Sequence, residues 1–248
     1  MKKNGKVLSI IALIIVLVLG AFLAYGYYQK ASYKLQRPIV SMEIKDYGTI
    51  KIELYPDMAP NTVKNFVKLI NEGYYNGLTF HRVEDMLIQG GDIAGDGTGQ
   101  SELSINGEFN ENGYDNTLKF ERGTLGLARL DYTYYSSLDA TLLQEGYNSG
   151  YAQFFIMTQD VPQFDGYYCS FGKVIEGIEI VDEITKLETK VETDEETGET
   201  TETTVPVNPP VIFSVTVDTF GVEYGEPETH KTFDINSWFM SQYYGLSY

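Results

Sequence analysis

Between residues 39 and 217 the chain is cut into short runs of alternating apolar and polar residues, separated by glycines and other turn formers. A period of two turns one side of each run toward a core and the other toward water, the pattern of a half-buried strand. Residues 39–44 and 49–54 are the first such pair, and Asp46-Tyr47-Gly48 between them predicts an antiparallel hairpin. Further strands are predicted over 79–83, 86–89, 125–128, 153–157, 170–174 and 211–217. Helical spacing is confined to two places. Val63, Phe66, Val67 and Ile70 recur behind Pro60, with Gly73 as a stop, and a second helix is predicted over 176–185. Many short strands with few helices point to a closed barrel, with a helix covering an open side.

The intervening segments have their own signatures. Residues 29–37 read as a polar linker, after which Pro38 opens the ordered region. Residues 188–204 are rich in Glu and Thr and nearly devoid of apolar side chains, so they predict a solvated hairpin or mobile loop. Residues 220–248 carry the only tryptophan, Trp238, together with Phe233, Phe239, Tyr243 and Tyr244. This extension is expected either to pack back on the domain or to form a contact surface for a partner.

The amino-terminal run 7–25 contains no charge and approaches the length needed to cross a hydrocarbon core as a helix. Lys2, Lys3 and Lys6 precede it, and Tyr25, Tyr27 and Tyr28 follow where interfacial aromatics sit. By the positive-inside rule the basic end stays in the cytoplasm and the remainder lies outside it. A cleaved signal peptide would share the basic start, but no small-residue cleavage pattern stands around residues 20–26. The expected organisation is thus a basic end and transmembrane anchor over 1–28 and a linker over 29–37. A single domain over 38–219, with insertions at 130–148 and 187–206, and an extension over 220–248 complete it. The expected location is the cell membrane, single-pass, with the carboxyl-terminal domain extracytoplasmic.

Charge and composition exclude several functions. A net charge of −17 repels nucleic-acid phosphates. Two histidines and one cysteine supply no set of soft ligands for zinc. Cys169 has no activating base among its neighbours and reads as a small buried residue. His81 reads as a structural histidine, hydrogen-bonded inside the barrel. A cation-binding role for the Glu- and Thr-rich segment rests on composition alone.

Chemistry is concentrated in one stretch: Phe80-His81-Arg82-Val83, then Gln89-Gly90-Gly91-Asp92, then Asp96-Gly97-Thr98-Gly99. Gln153-Phe154-Phe155-Ile156 and Phe171-Gly172-Lys173-Val174 follow in the same order as the corresponding segments of cyclophilins. The chain resembles the cyclophilin family of peptidyl-prolyl cis-trans isomerases, in a bacterial, membrane-anchored form. The resemblance implies an eight-stranded antiparallel barrel capped by two helices. It also implies that Arg82 is the catalytic arginine and Gln89 the glutamine that orients it. Met86, Leu87, Phe155 and Phe164 would wall the proline pocket, while Gln153 and Tyr168 would join the substrate-binding set. Ala128 and Arg129 would lie on the strand whose backbone pairs with the substrate.

The reaction needs no cofactor or metal. Amide resonance sets a rotational barrier of about 18–20 kcal/mol, so uncatalysed X-Pro exchange takes roughly 10–100 s. A donor aimed at the prolyl nitrogen favours its pyramidal form, withdraws the lone pair from resonance and lowers that barrier. Arginine suits the task because it stays protonated and presents a rigid fork of N–H groups. Activity should therefore vary weakly with pH near neutrality.

Several positions depart from the family pattern. The turn after Arg82 is one residue shorter than usual, Met86 stands for a phenylalanine, and Gln163 stands where many eukaryotic members carry tryptophan, which predicts weak binding of cyclosporin-like ligands. Arg129 and Tyr168 replace a frequent asparagine and histidine; Arg129 would favour acidic substrates or obstruct the groove. Residues 130–148, with Tyr132, Tyr134, Tyr135, Leu142 and Leu143, would project from the groove edge toward a client chain. The expected function is isomerisation of X-Pro bonds in unfolded or proline-containing exported polypeptides at the outer face of a membrane. The alternative is a catalytically weak binding module that recognises a proline-containing segment of a surface partner.

Overall fold

The computed structural model describes residues 13–25, 36–193 and 200–245. It divides into two compact units, Met1–Gln36 and Arg37–Tyr248. In the first, residues 13–25 form a helix (α1) with every side chain exposed. Among the described residues no helix is long and apolar enough to cross a membrane. Residues 7–12 of the expected span, the basic residues before it, and Tyr27 and Tyr28 lie outside the described residues.

The second unit is organised by β1 (Ile39–Ile44), β2 (Gly48–Leu54), β3 (Thr79–Glu84), β4 (Leu87–Asp92), β6 (Thr124–Leu127), β7 (Phe154–Met157), β8 (Cys169–Glu176) and β11 (Ile212–Asp218). These form one antiparallel sheet in the order β11-β1-β2-β8-β6-β7-β4-β3. The alternation read from sequence is the cause. Val40, Met42 and Ile44 on β1, and Ile50, Ile52 and Leu54 on β2, are all essentially inaccessible, whereas their neighbours are not. Burying each such aliphatic side chain stabilises the fold by about 1.5–3 kcal/mol. Asp46 at φ 68° and Gly48 at φ 120° supply the left-handed turn between the two strands.

The expected closed barrel is corrected. The sheet curls until β3 and β11 approach, but they share no ladder; a single bridge joins Thr79 to Val211. Phe80 N donates to Pro210 O at 3.0 Å and Ile212 N to Leu78 O at 2.8 Å. Pairing cannot run further toward Arg82 because Pro210 and Pro209 have no N–H to donate.

Helix α2 (Pro60–Asn71) lays Val63, Phe66, Val67 and Ile70 on the sheet core. Its amino end is capped from a distance: the carboxylate of Glu108 accepts from Asn61 N at 3.0 Å and Thr62 N at 2.8 Å. The second helix, α4 (Ile178–Ile184), starts two residues later than expected because Glu176 still belongs to β8. Cys169 is buried beside Thr62 Oγ1, and burial pushes its thiol up to about 12. The acidic segment is an exposed hairpin of β9 (Thr189–Thr193) and β10 (Thr200–Pro206), with β10 running beside β3. Its residues 194–199 lie outside the described residues. Among the described residues no cluster of three or more His, Cys, Asp or Glu could hold a metal ion.

The insertion and the extension pack against each other. Helix α3 (Thr141–Tyr147) buries Leu142 and Tyr147, and Tyr132 is buried as well. From the extension, β12 (His230–Lys231) pairs with β5 (Leu103–Ser104), and Asn61 exchanges hydrogen bonds with the backbone of Glu228. Phe233 meets Tyr132 edge-on at 6.1 Å, and Phe239 of α5 (Ile235–Tyr244) meets Tyr135 at 5.4 Å. Tyr132 and Leu142 thus face inward, correcting the expectation that they project toward a client; Tyr134 alone of the four insertion tyrosines is freely exposed, at 83 %. Of the two readings of the extension, packing back on the domain is the one observed.

Candidate active site

Alternate residues of β7 feed two different clusters. Phe154 and Ile156 enter the main core, while Phe155 and Met157 face the other way and join Leu87 and Phe120. On β4, Ile88 enters the core and Leu87 the second cluster. Met86, Ala128, Val161, Phe164 and Tyr168 border this cluster, half-buried. The Phe155 ring stacks on Phe120 at 5.6 Å and meets Phe164 and Tyr168 edge-on at 5.9 and 5.8 Å. Gly126 makes room for it: a Cβ there would sit 2.3 Å from Phe155 Cζ. The result is a small aromatic cluster on the face of the sheet opposite the main core.

A polar chain runs beside it, with Gln89 paired to Phe155 across the two strands. Arg82 and Gln89 are direct cross-strand partners. Arg82 Nη1 donates to Gln89 Oε1 at 3.1 Å, and Gln89 Nε2 donates to Gln153 Oε1 at 2.9 Å. Gln153 Nε2 in turn donates to Gly99 O at 3.1 Å. The turn that presents this carbonyl is built around Asp92, whose buried carboxylate accepts from Asp96 N and Gly97 N at 3.1 and 2.8 Å. Gly99 has to be glycine, since a Cβ would fall 2.0 Å from Asp92 Oδ1. The Gln-Gly-Gly-Asp and Gly-Thr-Gly segments thus fix one amide ladder that ends on the arginine.

His81 lies on the inner side of the same strand, 2 % exposed, and neither ring nitrogen has a hydrogen-bond partner. This corrects the expected internal hydrogen bond. Burial lowers its pKa; the Asp92 carboxylate opposes that shift and the Arg82 guanidinium adds to it.

The expected site residues are therefore brought together, with three corrections. Met86 is in the β3–β4 turn rather than on a strand, because β4 begins at Leu87. Strand β6 ends at Leu127, and the Ala128 N–H is already engaged with Gln153 O at 2.9 Å, so Ala128 and Arg129 are not on the strand. Arg129 does not hang free. Its Nε and Nη1 donate to Tyr167 O and Leu130 O at 3.1 and 3.0 Å, and its guanidinium lies 4.5 Å over Tyr168 and 5.0 Å over Tyr147. Sequence reasoning missed Phe120, Met157 and Val161. The alternation Phe155, Met157 pointed to the methionine; Phe120 and Val161 sit on loops with no periodicity. Beyond the ladder a cavity of about 550 Å³ opens, bordered by Gln89, Gln153, Arg129, Ile93 and Thr232.

Comparison with known proteins places these features. The sequence pattern described as cyclophilin type peptidyl-prolyl cis-trans isomerase/CLD matches residues 39–217. Peptidyl-prolyl cis-trans isomerase B of Bacillus subtilis is 37 % identical over 143 residues, covering 57 % of this chain and 87 % of that one. Peptidyl-prolyl cis-trans isomerase-like 2 of Gibberella zeae is 35 % identical over 139 residues, 55 % of this chain, which spans only 21 % of that longer protein. A cyclophilin-type isomerase of Cryptosporidium parvum, solved in the presence of the dipeptide Ala-Pro, superposes with a TM-score of 0.55 at 27 % identity. The match covers 73 % of this chain and 98 % of that one.

Proposed function

Because the chain belongs to the cyclophilin-type peptidyl-prolyl cis-trans isomerase family, we propose that it isomerises X-Pro bonds on the face formed by Arg82, Gln89 and the aromatic cluster around Phe155. The observation that carries this is the Arg82–Gln89–Gln153 ladder beside the aromatic cluster around Phe155. A proline ring seated among Leu87, Phe155, Phe164 and Tyr168 is desolvated. Its nitrogen then faces the guanidinium, whose hydrogen bond stabilises the pyramidal nitrogen of the twisted amide. Donors held in place before the substrate arrives need no reorganisation as the bond twists, which is the economical route to a lower barrier. The half-buried walls exclude water from the ring while leaving the flanking peptide outside.

The substrates are proline-containing segments of unfolded or exported polypeptides, and the site of action is the outer face of a membrane to which the amino-terminal run tethers the enzyme. The uncharged run 7–25 behind three lysines supports that placement. Protease added to intact cells should remove the carboxyl-terminal domain; full protection would contradict it.

One observation favours the second reading, a groove that binds proline segments without turnover: Met86, a flexible side chain, borders the Phe155 cluster and would hold a proline ring less rigidly than an aromatic wall. Exchange spectroscopy on an Ala-Pro peptide separates the two. Faster cis/trans exchange with the full chain supports the isomerase; chemical-shift changes from binding without faster exchange support the binding module.

A further inference from the structure

The turn between β3 and β4 is only Asp85 and Met86, and Thr158 holds both of its carbonyls. Thr158 Oγ1 donates to Asp85 O at 2.6 Å and Thr158 N to Met86 O at 2.9 Å. So short a turn keeps Glu84 on the strand, paired with Leu87. No register shift lies between Arg82 and Glu84, and side chains two apart on a strand leave the same face. Glu84 is the better buried of the two, 22 % exposed against 42 %. Its Oε1 accepts from Arg82 Nε at 2.8 Å and also from Nη2, while Gln89 takes Nη1.

We propose that Glu84 is a second positioning residue for isomerisation, clamping the Nε–Nη2 edge of Arg82 while Gln89 holds the other arm. This rests on the role given to Arg82 above. Each terminal nitrogen carries two N–H groups, so one on each arm is left for substrate. Two effects compete. The carboxylate draws charge from the donors and weakens them, but at a partly exposed pair water screens that influence. Fixing a long, otherwise free side chain at the reacting geometry acts in full on the rate. Orientation wins, and the shortened turn is the device that delivers it.

The test is steady-state isomerase kinetics on the full chain with Glu84→Ala and Glu84→Gln. Glutamine keeps an acceptor oxygen at the same reach, so kcat should fall in the order parent, Glu84→Gln, Glu84→Ala. The falls expected are about threefold and about tenfold, with KM within about twofold, since the clamp serves the transition state. A purely structural role would lower thermal stability and leave kcat alone. A kcat in folded Glu84→Ala equal to or above that of the parent overturns the proposal, as does a change confined to KM. Nitrogen relaxation of the Arg82 side chain reads the clamp without turnover. Its Nε–H should become more mobile in Glu84→Ala, and unchanged order contradicts the proposal. A parent that fails to turn over while Arg82 loosens in the variant would instead locate the error in the isomerase reading.

Discussion

Two aromatic clusters on this domain are built from similar residues and do different things. Around Phe155 the rings of Phe120, Phe164 and Tyr168 are set by β7 and the loops packed on it, and an ordered amide ladder runs beside them. Around Tyr135 the rings of Tyr132, Phe233 and Phe239 come from an insertion and an extension, meeting edge-on outside the sheet. The first cluster lies beside a held cation, with Gln89 paired to Phe155 across β4 and β7; the second joins two appendages. Apolar area alone does not make a site. What distinguishes one is donors fixed by strand register at the edge of that area.

The comparison can be broken most severely at Phe155. Replacing it by alanine removes the ring that Phe120, Phe164 and Tyr168 pack on, and kcat/KM should fall by roughly thirtyfold or more, as for a buried aromatic anchor. An unimpaired variant would place proline elsewhere. Next, Gln89→Ala frees one arm of Arg82; losing a hydrogen bond of about 1 kcal/mol predicts a several-fold fall in kcat at nearly constant KM. A loss confined to KM would make Gln89 a binding residue instead.

His81 gives a smaller effect, on stability. Its folded-state pKa is lowered by burial, so the unfolded chain takes up the proton first, near 6.5. Stability from the neutral ring is whole above that pH and is lost as pH falls below it toward the folded value. Urea midpoints should therefore drop between about pH 7 and about pH 5 more steeply in the parent than in His81→Gln; parallel curves would contradict this. The smallest effect is expected at the second cluster. Phe239→Ala should lower stability by about 1 kcal/mol and leave kcat/KM within about twofold. A large loss of activity there would show that the appendages serve the groove.

Much of this fold could be read from sequence, for physical reasons that also mark where reading stops. The β1–β2 hairpin and helix α2 were legible because one face of each is buried, which imposes a period. The Arg82–Gln89 pair was legible through the resemblance to cyclophilins, whereas Gln153, expected among the substrate-binding residues, was not read as its continuation because the contact joins two strands far apart in sequence. The barrel's incomplete closure depended on where Pro210 falls opposite β3, a non-local fact. The insertion and extension carry aromatics without periodicity, so their mutual packing left no trace in either segment alone. Glu84 looked like a turn residue, and only the register of β3 shows it facing Arg82.

Arg82 is the centre of the proposed site. Exchange spectroscopy on an Ala-Pro peptide with the full chain and its Arg82→Ala variant should show catalysed exchange falling by roughly 100- to 1000-fold, the cost of removing a preorganised donor, while the peptide still perturbs Phe155 and Tyr168. Exchange as fast in a folded Arg82→Ala variant as in the parent would contradict it.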